Sequence, residues 1–175
     1  KKLQGLVIKK FKDEKNINIT KKEFNDNEAE QLKISLSKRE DALARAKNTN
    51  IKISRKEFEN EISTLITQTE LCVENALEEA NLEVSDISKI ILAGGSTRIP
   101  CVRNSIIKIF GKDPTVFNNP DEIVALGAAI YAAYKADPDL LNPIQKSTVE
   151  KINIQELTTF CFGTRAMHFS DDTQA

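Results

Sequence analysis

The chain has 175 residues, of which 40% are hydrophobic and 29% are charged, and its formal net charge is −1. This composition is typical of a globular protein, and the balanced charge gives no argument for a nucleic acid or an anionic membrane as a partner. No apolar run approaches the roughly 20 residues that a membrane-spanning helix requires.

Cysteine and histidine usage argues against a disulfide framework and a metal site. Cys72, Cys101 and Cys161 are odd in number and far apart, and the single His168 has no cysteine or histidine beside it. We expect no bound metal and a reducing compartment, with the cytoplasm preferred and an organelle lumen as the alternative. The chain begins with Lys-Lys-Leu in a helical pattern and reads as a piece of a longer protein.

Three helices are predicted in the first half. Residues 3–15 and 29–36 carry apolar side chains at helical spacing. The third helix begins at Ser54, where Glu57 completes a capping box, and ends at Asn81. We expect its apolar stripe to be buried: Ile62, Leu65, Ile66, Val73 and Leu77.

Residues 40–53 are ambiguous. Residues 40–47 have a composition that favours a helix, whereas Asn48-Thr49-Asn50 followed by residues 51–53 reads as a turn and a strand. Periodicity alone leaves both interpretations open.

A strand and a helix are predicted next. The apolar run at residues 89–93 is consistent with a buried parallel strand. Two glycines end it, and Pro100 then fits the first turn of a helix that ends at Gly111. Residues 115–117 suggest one more short strand.

A further helix is predicted from Asn119 as cap and Pro120 as first helical residue. We expect exposed apolar surface around residues 123–134. Prolines in residues 138–150 then indicate an irregular linker, and residues 151–169 alternate weakly, as one or two strands would.

The junction between the strand, the glycines and the helix is the first functional signal. Glycine lets a ligand approach the backbone, and free N–H groups at a helix start favour an anion. Alone, Gly94-Gly95-Ser96-Thr97 reads more simply as a tight turn, and it matches neither a Walker phosphate loop nor a dinucleotide fingerprint. Arg98 shifts the balance toward a nucleotide, because a guanidinium can stack on a purine face.

Several motifs together resemble one family. Residues 91–100, Ile-Leu-Ala-Gly-Gly-Ser-Thr-Arg-Ile-Pro, closely resemble the adenosine motif of the seventy-kilodalton heat-shock (DnaK-type) chaperones. Residues 110–112 and 119–129 match that family in order and spacing, and residues 30–37 resemble its adenine-clamping helix. The resemblance implies an α/β fold, the second lobe of an actin-like (ribonuclease H-like) ATPase domain. It also implies a β-hairpin at residues 40–53, shorter than is usual in the family.

The resemblance implies roles for residues on the adenine-clamping helix. Glu30 and Lys33 would hydrogen-bond the ribose hydroxyls, and Ser37 would reach the adenine edge. Ile34 stands where some members carry an arginine over the base, so stacking there would be apolar. Without the downstream motifs, Glu30 and Lys33 would read as an exposed helical ion pair worth less than about 0.5 kcal/mol.

The glycine loop completes the implied site for ATP or ADP. Gly94 and Gly95 would offer amides to the phosphates, and Ser96 would contact the base edge. Arg98 would cover the base face, and Asp121 would help to orient Arg98 or a bridging water. The predicted nucleotide-binding set is Glu30, Lys33, Ser37, Gly94, Gly95, Ser96, Arg98, Ile99 and Asp121.

Neither the family's phosphate loops nor its catalytic lysine have counterparts in this sequence. We therefore predict no catalytic residue here, Mg²⁺ ligands elsewhere in the parent protein, and no ATPase activity from the fragment alone. The tail also departs from the family's apolar linker, which puts normal coupling to peptide release in doubt.

These observations predict a lobe at residues 1–136, with a helical outer subdomain to about residue 88 and inner elements at 89–136. A linker at 137–150 and a tail at 151–175, where a peptide-binding β domain could begin, complete the predicted organisation. The predicted function is an adenine-nucleotide half-site and exchange-factor docking surface of an ATP-dependent chaperone. The parent would also meet J-domain co-chaperones and unfolded polypeptides.

Two alternatives remain. One is another actin-like ATPase, such as a cytoskeletal or sugar-kinase relative, against which the spacing of Glu30, Lys33 and Ser37 argues. The other is a non-catalytic adaptor that keeps the fold. The altered linker favours the adaptor, whereas the presence of Arg98 and Lys33 opposes it.

Overall fold

The computed structural model describes residues 1–115 and 120–154, and the chain divides into two compact units after Leu126. The architecture is mainly helical with one β-hairpin. The elements are α1 (Lys2–Lys15), α2 (Asp26–Lys38), β1 (Asp41–Ala46), β2 (Thr49–Ser54), α3 (Arg55–Ala80), α4 (Pro100–Phe110), α5 (Ile123–Lys135) and α6 (Pro143–Val149). Short 3₁₀ turns lie at Val84–Asp86, Gly95–Arg98 and Pro138–Leu140. None of the helices in the described ranges has the length and apolar character that crossing a membrane requires.

The helix boundaries follow from capping chemistry. Asn25 opens α2 by accepting a hydrogen bond from the amide of Glu28, whose carboxylate accepts one from the amide of Asn25. Ser54 and Glu57 form the same reciprocal box at the start of α3, as predicted. α3 ends where Asn81 adopts a left-handed conformation (φ 52°), which confirms the predicted stop.

An ion pair fastens α1 to the start of α3. Nζ of Lys10 lies 2.5 Å from Oε1 of Glu57, whose other oxygen accepts hydrogen bonds from Ser54. Burial opposes ionisation of this carboxyl group, but the hydrogen bonds from Lys10 and Ser54 outweigh it and hold the pKa of Glu57 at about 2. The junction of α1, β2 and α3 is thereby fixed.

The predicted hairpin is confirmed. β1 and β2 pair antiparallel from Asp41 opposite Ser54 to Ala46 opposite Thr49. Lys47 and Asn48, both with positive φ, make the two-residue turn, so the turn lies slightly before the predicted 48–50. The helix-favouring alanines fit a strand because small side chains alternate inward, against the core.

One core lies among α1, α2, the hairpin and the first turns of α3. Its members are the buried side chains of Leu3, Val7, Phe11, Ile19, Phe24, Ala29, Leu32, Leu36, Ala44, Ala46, Ile51, Ile53, Phe58, Ile62 and Ile99. Gln4 is also buried, and it donates to the carbonyl oxygen of Phe24 at 2.7 Å.

The expected burial of the whole α3 stripe is wrong. Ile62 is buried, but Leu65 is 46% exposed, and Ile66, Val73 and Leu77 are only partly buried. The reason is that the fully buried part of the core ends at Ile62, and Ile66 packs against its edge while remaining partly exposed. Beyond it α3 packs against α4, and Leu65 lines an open groove instead.

The predicted buried strand at residues 89–93 is also wrong. Within the described residues it makes a single parallel bridge, between Ile91 and Thr115, and Ile91 is exposed. A parallel strand is buried only when neighbouring strands and helices cover it. In the proposed strand at 115–117, residues 116 and 117 lie outside the described residues.

α4 begins at Pro100 and ends at Gly111 (φ 63°), both as predicted. α5 begins at Ile123 rather than Pro120, because residues 120–122 form a turn, and the proposed cap Asn119 lies outside the described residues. Apolar side chains of α5 are exposed, as expected, with Val124 and Leu126 among them.

α6 forms where an irregular linker was expected. Asn142 accepts from the amide of Gln145 in a capping box, and Pro143 occupies the first turn, where it needs no hydrogen-bond donor. Residues 151–154 are not a strand, and the rest of the proposed strands at 151–169 falls outside the described residues.

Candidate nucleotide site

Six of the nine predicted binding residues line one cavity of about 370 Å³ in the unit that ends at Leu126. This volume falls within the roughly 300–1,000 Å³ of small-molecule sites. The lining residues are Glu30, Lys33, Ile34, Ser37, Lys38, Gly95, Arg98 and Asp121.

α2 supplies one wall. Its five lining residues follow the spacing i, i+3, i+4, i+7 and i+8, which places them on one helical face. Nζ of Lys33 lies 2.8 Å from Oε1 and 2.9 Å from Oε2 of Glu30. The hydroxyl group of Ser37 donates its proton to the carbonyl oxygen of Lys33 at 2.9 Å. Toward the cavity, the hydroxyl oxygen of Ser37 can therefore act as an acceptor.

The glycine loop and the turn before α5 supply the opposite wall. Gly94 adopts a φ of 89°, which disfavours any side chain, and its amide donates to the carbonyl oxygen of Pro120 at 2.8 Å. Nη2 of Arg98 lies 2.8 Å from Oδ2 of Asp121. A Cβ on Gly95 would lie 2.9 Å from Oδ1 of Asp121, so glycine leaves room for this ion pair.

The other three predicted residues lie beside this cavity but do not line it, and the groove that Ser96 and Ile99 line shares Glu30 and Lys33 with it. The amide of Gly94 is engaged by Pro120, Ser96 lines a neighbouring groove of about 690 Å³, and Ile99 is buried in the core. Their binding roles stay predictions. The predicted binding set did not include Lys38, which also lines the cavity. Its position eight residues after Glu30, on the same face of α2, is the signal that could have identified it.

Ligands for a metal ion are a separate question. Within residues 1–115 and 120–154, no three His, Cys, Asp or Glu side chains are grouped so that they could hold a metal ion. The lining of the cavity consists of two ion pairs, a further lysine, one hydroxyl group, a glycine and an apolar side chain.

Comparison with known proteins identifies the family. The family model described as Hsp70 protein matches residues 1–165. The chain is 33% identical over 163 residues to the chaperone protein HscA homolog of Haemophilus influenzae, a match that covers 79% of this chain and 26% of that protein. It is 47% identical over 90 residues to the chloroplastic stromal 70 kDa heat shock-related protein of Pisum sativum, covering 51% and 13%. It is 49% identical over 84 residues to the chaperone protein dnaK of Cyanidium caldarium, covering 48% and 14%.

The chain thus spans about a quarter or less of the length of these relatives. The resemblance predicted from the glycine loop and α2 is confirmed over nearly the whole sequence. The chain belongs to the Hsp70 family of heat-shock chaperone ATPases.

Proposed function

We propose that this chain holds the adenosine half of the nucleotide site in an Hsp70-family chaperone, as the second lobe of its actin-like ATPase domain. One observation carries the proposal. Residues from three separate segments of the sequence, 30–37, 95–98 and 121, meet around a single cavity of about 370 Å³.

The chemistry of the cavity suits a purine nucleoside. The carboxylate of Glu30 can accept from a ribose hydroxyl and the ammonium of Lys33 can donate to one, and their mutual ion pair already holds both groups in place. Arg98, held by Asp121, offers a planar cation for one face of the base. Ile34 offers an apolar surface from the α2 wall.

Gly95 is the proposed phosphate contact. As the first residue of a 3₁₀ turn, it has an amide without an intrahelical acceptor, and the missing side chain allows close approach. Gly94, whose amide is bonded to Pro120, contributes the left-handed conformation instead.

Hydrolysis requires more than this chain. Hsp70 proteins bind ATP with Mg²⁺, and we propose that the Mg²⁺ ligands and catalytic groups come from other parts of the longer protein. The chain alone would then bind ADP weakly and would not hydrolyse ATP.

The same proposal covers domains and partners. Residues 1–136 would form the lobe, with the outer subdomain to about residue 88 docking an exchange factor. The outward side of the hairpin supports that role, because Leu43 is exposed there. J-domain co-chaperones and unfolded polypeptides would bind the longer protein, and residues 137–150 and 151–175 would be its linker and the following tail. We propose a reducing compartment for this protein, with the cytoplasm preferred over an organelle lumen.

Calorimetric titration with ADP tests the proposal. The charge-assisted contacts that other segments would add are worth about 1.5–3 kcal/mol each, so the isolated chain should bind in the high-micromolar range or more weakly. In the longer protein, Arg98→Ala should weaken ADP binding about tenfold or more with the helical content unchanged. Arg103→Ala is the matched control, because it removes an exposed 2.7 Å pair with Asp113 outside the cavity.

Nanomolar binding by the chain alone would show that the supposed missing contacts are not needed. Unchanged ADP affinity in the Arg98→Ala variant would favour the non-catalytic adaptor.

A further inference from the structure

Lys38 lies on the nucleoside-facing side of α2. Glu30, Lys33, Ile34, Ser37 and Lys38 all line the same cavity at consecutive helical spacings. Each of the first four has a proposed contact with ribose or base, and Lys38 has none. It lies one turn beyond Ile34 and beside Ser37, at the end of α2 away from the ribose pair.

The charges in the cavity single out the same residue. Lys33 is neutralised by Glu30 and Arg98 by Asp121, each at 2.8 Å. In the part of the chain that the structure describes, Lys38 is the one cation of this cavity that has no ion-pair partner. Lys38 is exposed, so its unpaired ammonium is free to reach the end of the cavity where the base would lie.

Ser37 and Lys38 offer complementary hydrogen-bonding groups. The proton of the Ser37 hydroxyl is committed to the backbone carbonyl of Lys33, so its oxygen can accept. The ammonium of Lys38 can only donate. The complementary base edge therefore has a hydrogen-bond donor that faces Ser37 and, next to it, an acceptor that faces Lys38.

Adenine presents such an edge, with its exocyclic amino group next to the unprotonated ring nitrogen N1. Hypoxanthine and guanine present the reverse, a carbonyl oxygen next to a protonated nitrogen. We propose that Lys38, together with Ser37, makes this site selective for 6-amino over 6-oxo purines by donating to the ring nitrogen. This inference rests on the proposed nucleoside site.

A purely structural role must be separated from this one. A lysine in the last turn of a helix also interacts favourably with the helix dipole, and Lys12 occupies the last turn of α1 in the same way, outside the cavity. Lys12→Met is therefore a matched control for Lys38→Met, which keeps the stem of the side chain and removes its charge.

The test compares adenosine with inosine, neither of which carries a phosphate, by calorimetry on the 175-residue chain at millimolar ligand. Lys38→Met should weaken adenosine binding about threefold to tenfold and leave inosine binding nearly unchanged, so the selectivity ratio falls. Lys12→Met should leave the ratio as in the wild type.

An unchanged ratio in Lys38→Met overturns the inference, whether both affinities fall together or neither changes. If the Arg98→Ala variant binds adenosine more weakly than the wild type does, the nucleoside site stands and only the role of Lys38 fails. If the wild type binds neither nucleoside, both fail together.

Discussion

Replacing Ile53 and Leu65 by alanine should give clearly different losses of stability, although both residues have large aliphatic side chains. Ile53 is 0% exposed, on the inward side of β2. Removing a fully buried aliphatic side chain costs its transfer free energy plus a cavity term, together about 2–5 kcal/mol. Leu65 is 46% exposed. Full burial of a leucine side chain is worth about 1.5–3 kcal/mol, so a half-buried one should cost about 1 kcal/mol.

The cavity term should be small for Leu65→Ala, because that side chain borders an open groove of about 690 Å³ that water can already enter. Urea unfolding followed by far-UV circular dichroism measures both variants, with Ile53→Ala expected at the larger loss and unchanged m values. A loss for Leu65→Ala equal to that for Ile53→Ala would refute the reasoning, since it would mean that the core extends along α3 past Ile62.

Two further predictions concern the α1–α3 junction and the glycine loop. Because Glu57 has a pKa of about 2, below its usual 4.5, its stabilising effect should be complete above pH 4.5 and lost as the pH falls toward 2. Its side chain is 38% exposed, so solvent screening should limit the cost of Glu57→Gln at neutral pH to about 1 kcal/mol. Urea unfolding of the wild type and the variant from pH 2 to 7 measures this cost, and equal stability of the two at pH 7 would contradict the prediction. Gly95→Ala should weaken ADP binding while changing stability by less than about 1 kcal/mol, because the new Cβ would displace the exposed Asp121 and with it Arg98. Gly127→Ala, which meets open space, is the control, and unchanged ADP affinity in Gly95→Ala would contradict the proposed role of the ion pair.

Local chemistry made the helix ends predictable. The capping box of Ser54 and Glu57, the left-handed Asn81 and the stop at Gly111 need only neighbouring residues, so their sequence signals sufficed. The start of α5 was misplaced because the turn at residues 120–122 is held by a distant contact, from the amide of Gly94 to the carbonyl oxygen of Pro120.

Burial was harder to predict, because it depends on what covers a surface. The stripe of α3 has helical spacing along its whole length, yet only its beginning meets the core formed by α1, α2 and the hairpin. The apolar run at residues 89–93 likewise has the composition of a buried strand, but the described residues provide it with one bridge, to Thr115.

The candidate site was predictable in part. The α2 residues share a helical face, so their common wall could be predicted from spacing, and the pairing of Arg98 with Asp121 followed from the family resemblance. The directions of Ser96 and Ile99 could not be predicted, because they depend on how the 3₁₀ turn enters α4.

A residue-resolved map of adenosine binding tests the central claim most directly. Backbone amide NMR shifts of the 175-residue chain would be followed as adenosine is added to millimolar concentration. The largest changes should fall on residues 30–38, 94–98 and 121, around the cavity of about 370 Å³. Changes centred on the neighbouring groove, at Phe58 and Thr69, or no changes at all, would contradict the assignment of this cavity as the adenosine site.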